Sequence, residues 1–191
     1  LEFETIVNKI ILDNSGVTDL KIYDKLPFII NLRIEALGNI ATVDENKVDL
    51  RHVLTNLTDT PFELEDQKTI RYENLEINLK VPTLTEENAI ITNCKENNNV
   101  KDDDWDEGIK LLYLLDITKY IASLQIDNEN VNMAEIRINE RMDLIEKLPL
   151  NVYKEIAEYI RNVKKYQDDI LTVGDSTVTI VPTFFDYVDE A

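Results

Sequence analysis

At Gly38 the periodicity of the chain changes. Before it, in the stretch LKIYDKLPFIINLRIEALG, the residues Ile22, Leu26, Ile29, Ile30, Arg33 and Leu37 recur at the spacing of one helical face, with Asn31 and Glu35 turned to solvent. After it, IATV, KVDL, TIRY and LEINLKV alternate or are β-branched, the pattern of half-buried strands. A chain that switches period in this way must bury both a helix stripe and a sheet face, which makes it α+β. Asp24 is placed to cap the helix, Pro27 falls in its first turn and Gly38 ends it. The stretch holds no nucleophile or metal ligand, so it reads as a hinge from helix to sheet, with Arg33 as a candidate surface anchor or ion-pair partner.

The remaining segments extend this pattern. Phe3, Ile6, Val7, Ile10 and Ile11 predict a short helix ending in DNSG, and YENL predicts a tight turn between two strands. TEENAIITNC opens a helix with Thr85 as cap, and the polar run KENNNVKDDDWDEG is a loop. A long helix is expected from about Asp104 to Gln125, its polar stripe running through Lys110, Asp116, Lys119 and Ser123. Asn139 caps the next helix, Pro149 breaks the chain, and Val152, Ile156, Tyr159, Ile160 and Val163 line the last helix. DILTVGDSTVTIVP predicts a β-hairpin. The expected architecture is therefore a helical core with a small antiparallel β region in the middle and a C-terminal β-hairpin. Its segments are residues 1–38, 39–82 and 83–191, packed as one unit.

The chemistry of the chain is sparse. One cysteine, Cys94, and one histidine, His52, exclude a disulfide framework, a cysteine-rich zinc site and a histidine-rich metal site. A formal charge of -18 disfavours nucleic acid and anionic membrane surfaces as partners. No apolar run reaches a membrane span, and LEFETIVNKI is neither a signal peptide nor a methionine start, so a natural N-terminal segment is expected upstream. Asp102, Asp103, Asp104, Asp106 and Glu107 lack the register of a calcium loop and read as charge at a helix start. Cys94 and His52 lack the surroundings of a nucleophile and base. With four glycines in all, the chain has no phosphate-cradling loop and no nucleophile elbow. Asn56-Leu57-Thr58 matches a glycosylation sequon by composition only. No catalytic residue, metal or cofactor is expected. The terminal aromatics Phe184, Phe185 and Tyr187 read as core or partner contact.

The order GVTDLKIYDKLPFIINLRIEALG, VDLRHVL, TIRYENLEINLKVPTL, IEKLPLNVYKEIAEYIRNV and VTIVPTFF resembles the T-even-type bacteriophage baseplate protein family. Asp24, Leu32, Arg33 and Gly38 match its first motif, Leu79, Pro82 and Thr83 its second, and Phe184 and Phe185 its last. Residues 39–82 contain no cysteine, so the small zinc ribbon of some members is not implied here. The resemblance implies a non-enzymatic tail baseplate or hub-assembly protein, in the virion or in the host cytoplasm during assembly. Its partners would be other phage tail and baseplate proteins, with Arg33, Phe184, Phe185 and Tyr187 as contacts. Two other readings follow from the charge: an acidic DNA mimic that occupies a host nucleic-acid-binding protein, and a carboxylate-dependent metal enzyme built on Asp102 to Glu107.

Overall fold

Leu75, Ile77 and Leu79 alternate with Glu76, Asn78 and Lys80, and the protein lays this stretch at the centre of an antiparallel sheet. The computed structural model describes residues 2–43, 46–59, 64–97, 113–127, 129–166, 170–173 and 176–179. In chain order the elements are α1 (Glu2–Ser15), α2 (Lys25–Leu37), β1 (Ile40–Val43), β2 (Asn46–Asp49), α3 (Leu50–Asp59), β3 (Gln67–Tyr72) and β4 (Leu75–Lys80). There follow α4 (Leu84–Asn97), α5 (113–118), β5 (Ile121–Ile126), β6 (Glu129–Asn132), α6 (Ile138–Glu146), α7 (Leu150–Lys164), β7 (Ile170–Val173) and β8 (Ser176–Thr179). The class is α+β. The chain forms two compact units, one of Leu1–Ile22 with Leu64–Val163, the other of Tyr23–Glu63 with Lys164–Ala191.

The first unit is organised by the sheet β3-β4-β5-β6, antiparallel throughout. The YENL turn is as expected: Tyr72 pairs with Leu75 across two residues, and Glu73 takes a positive φ of 52°. Ile70, Ile77 and Leu124 face one another across three strands and are buried. On the other face, Thr69 donates to Asn78 at 2.8 Å and Asn78 donates to Ser123 at 3.1 Å, so a polar row crosses the same strands. Ile90, Leu115 and Ile138 form a core cluster between α4, α5 and α6, with Met142 packed against it. The five inward residues expected for α7 are all buried. Tyr159 meets Tyr120 edge-on, centroids 6.5 Å apart, and its hydroxyl lies 3.0 Å from the Asp66 carbonyl.

The long helix expected over residues 104–125 ends early. Its described part stops at residue 118, and β5 begins at Ile121. Ile117, Ile121 and Leu124 satisfy a helical spacing, but Ile121 and Leu124 also fit the sheet, where β4 needs a partner. The Lys80 amide donates to the Tyr120 carbonyl at 2.8 Å, and a bulge sets Leu79 opposite Ile121 and Asn78 opposite Ser123. The bulge brings both apolar residues to the buried face despite their odd spacing. Non-local pairing thus overrides local period.

Two expected caps also move. α4 starts with a capping box two residues earlier than anticipated: the Glu86 amide donates to Thr83 Oγ1 at 3.1 Å and the Thr83 amide to Glu86 Oε2 at 3.0 Å. Thr85 instead donates its hydroxyl to the Thr18 carbonyl at 3.0 Å. Asn139 lies inside the first turn of α6, where Glu140 accepts from the Arg137 amide at 3.3 Å.

In the second unit, Leu26, Ile29, Ile30 and Arg33 are the buried face of α2, while Asn31 and Glu35 are exposed. Asp24 has helical dihedrals and makes no capping bond through its side chain. Gly38, at φ 86°, ends the helix by donating its amide to the Ile34 carbonyl at 3.0 Å. The β1-β2 hairpin follows, and then a helix that the reading of residues 39–82 as a β region did not anticipate. Leu50 and Val53 are the buried spacing of α3, and Asp49 caps it by accepting from the Arg51 amide at 2.9 Å. The expected C-terminal hairpin is β7-β8, with Val173 opposite Ser176.

Replacing Thr83 by Ala should lower unfolding free energy by about 1 kcal/mol, and Thr85→Ala by about half that or less. Urea unfolding monitored by circular dichroism measures both.

Candidate functional site

The capping box fixes the first turn of α4 and with it Glu86 and Glu87. Glu87 points inward and is 2% exposed, as are Asn8 of α1 at 0% and Thr118 of α5 at 1%. Asn8 Nδ2 donates to Glu87 Oε2 at 2.8 Å and to Asn88 Oδ1 at 3.0 Å. Lys119 Nζ reaches Glu87 Oε1 at 2.9 Å and Asp116 Oδ1 at 3.0 Å, and lies 5.4 Å from the centre of the Tyr120 ring. Burial pushes the Lys119 ammonium down, but Glu87 and Asp116 more than reverse this, and its pKa rises. Burial raises the Tyr120 phenol. Both Glu87 oxygens are engaged, so acting as a general base would require breaking a bond first.

A cleft of about 290 Å³ adjoins this cluster, between α4, the start of β5, the end of β6 and α6. Lys80, Glu86, Lys119 and Arg141 line it, over an apolar floor that includes Ile90, Ile121 and Met133. Lys80 is ion-paired with Glu86. Burial pushes the Glu86 carboxyl up, but hydrogen bonds from Lys80 and from the Thr83 amide prevail and hold its pKa below the usual value. Arg141 donates through Nε to the Ile136 carbonyl at 2.9 Å, and burial lowers its pKa.

Arg33, expected as a surface contact, is 1% exposed in the second unit. Its guanidinium donates to the carbonyls of Gly38 at 2.8 Å and Ile40 at 3.2 Å, binding the helix end to β1. Phe184, Phe185, Tyr187 and the acidic cluster at residues 102–107 lie outside the described residues, as does the Cys94 side chain. His52 is exposed on α3. Among the described residues no group of three or more His, Cys, Asp or Glu could hold a metal ion, and no helix is long and apolar enough to cross a membrane. Sequence reasoning missed Asn8, Glu87 and Arg141, and read Lys119 as solvent-facing. The signal for the first two was present: each is a polar residue interrupting an apolar helix stripe.

No protein-family model, curated protein or solved structure matches the chain. What the geometry defines is an α+β protein whose first unit carries a charge-lined cleft beside a buried ion pair.

Lys119→Met alone should destabilise the protein by about 3–5 kcal/mol, because Glu87 stays buried without its cation. Combined with Glu87→Leu it should recover at least about half of that loss, read as a coupling energy in a double-mutant cycle by urea unfolding. Glu86→Gln should change the acid limb of stability. The depressed Glu86 pKa contributes stability above its ordinary value of 4.5, and this is lost as pH falls through the lower folded value. The gap in Tm between wild type and Glu86→Gln should therefore narrow below about pH 4.5 in thermal scans.

Proposed function

We propose that the chain is a non-enzymatic component of a contractile phage tail, a baseplate subunit or a hub-assembly factor, that works through protein–protein contacts. The observation that carries this reading is the outer face of α1. Ile6 and Ile10, one turn apart, are 54% and 47% exposed, and Val17 beyond the helix is 43% exposed. The inner face of the same helix is already used by Asn8 and Ile11, which are buried. A helix whose inner side is already packed and whose wet side still carries an apolar stripe gains by placing that stripe against another protein. The order of the sequence motifs supports the choice of a tail component, and the two branches differ only in whether the contact persists in the finished particle.

Mass spectrometry of purified virions beside lysate of the same infection separates these branches. Several copies per virion fit a baseplate subunit, and abundance in lysate with absence from virions fits an assembly factor. Affinity capture that recovers no tail or baseplate protein overturns the reading. Ile6→Glu with Ile10→Glu should cut capture of the tail partner by at least about tenfold without altering the circular dichroism spectrum.

A further inference from the structure

Arg141 differs from the other cations of the cleft. Lys80 is balanced by Glu86, and Lys119 by Glu87 and Asp116. Arg141 spends one N–H on the Ile136 carbonyl, and among the described residues no carboxylate lies within ion-pair distance of it. Acids are not scarce in this chain, with 38 against 20 Lys and Arg. A half-buried guanidinium left unmatched beside a cavity is a costly arrangement that a bound anion relieves. At about 290 Å³ the cleft stands at the small end of ligand pockets. Its floor is hydrocarbon: Ile121 is 3% exposed and Met133 1%.

We propose that this cleft binds the carboxylate of a short aliphatic acid, either a free molecule or the C-terminal residue of a peptide. Arg141 is the clamp, because its planar fork matches two coplanar oxygens. Ile121 and Met133 receive the hydrocarbon part. One cation unmatched among the described residues suits a single negative charge, and a net charge of -18 disfavours a dianion such as phosphate. The inference does not rest on the tail-component reading.

The test is an NMR titration of the full chain with isovalerate, with the tripeptide acetyl-Gly-Gly-Leu as its free acid, with the same peptide as its C-terminal amide, and with inorganic phosphate. The two carboxylates should shift the Arg141 Nε–H and the Ile121 and Met133 methyl signals saturably, with Kd of about 1 mM for the better of them. The amide should be inert. Tighter binding of the peptide acid identifies a chain terminus as the source, and equal or tighter binding of isovalerate a free acid. No saturable shift by either carboxylate up to about 50 mM, equal shifts by the amide, or tighter binding of phosphate overturns the proposal. Arg141→Gln should abolish the shifts and Arg141→Lys weaken binding about tenfold. Should Arg141→Gln unfold the protein, Ala89→Leu serves instead. It narrows the cleft from the exposed side of α4 with every charge in place and should abolish binding, and unchanged binding in that variant overturns the proposal.

Discussion

The ion pair between Glu87 and Lys119 is the contact on which the first unit turns. Glu87 belongs to the first turn of α4 and Lys119 to the turn that carries α5 into β5, so the pair bridges 32 residues of chain. Asn8 adds α1 to the same point. Charges this deep are tolerated only with good geometry and their remaining hydrogen bonds filled. Several local features therefore have to be right together. The Thr83–Glu86 capping box sets the rotation of α4, the helix of α5 stops in time for Lys119 to turn inward, and the Lys80–Tyr120 backbone bond holds the start of β5. The apolar cores on either side, Ile90 with Leu115 and Ile77 with Leu124, would accept small slips. A buried carboxylate would not.

This explains which parts of the fold were legible in the sequence. The faces of α2 and α7 were read correctly because their stripes are long, local and bounded by Gly38 and Pro149. The YENL turn and the last hairpin were legible for the same reason. The failure at β5 has a different origin. The run ITKYIASLQI satisfies a helix in isolation, and only β4, whose paired residues lie 42 to 51 positions earlier in sequence, makes it a strand. α3 was missed because its buried spacing, Leu50 and Val53, is short and follows directly on β2. The site was less legible still. Asn8 and Glu87 stand out as polar interruptions of apolar stripes, but that Arg141 meets no carboxylate among the described residues is a property of the assembled cleft and has no signature in its local sequence.

The two arginines show how the same side chain serves different ends. Arg33 is buried and its fork is filled by the carbonyls of Gly38 and Ile40, the groups left unpaired where a helix ends and a strand begins. The change of period at Gly38 is therefore held by a side chain five residues upstream, whose preorganised fork suits two backbone acceptors better than the compact ammonium of a lysine. Arg141 has one carbonyl acceptor among the described residues and lines a cavity. The difference is a matter of geometry alone: where the backbone supplies acceptors on both sides the guanidinium is structural, and where it supplies them on one side the other edge of the fork is available for recognition. In an acidic chain that distinction matters more than the count of basic residues. An arginine that lines a cleft with an apolar floor is where a negatively charged ligand can be held against the repulsion of the whole.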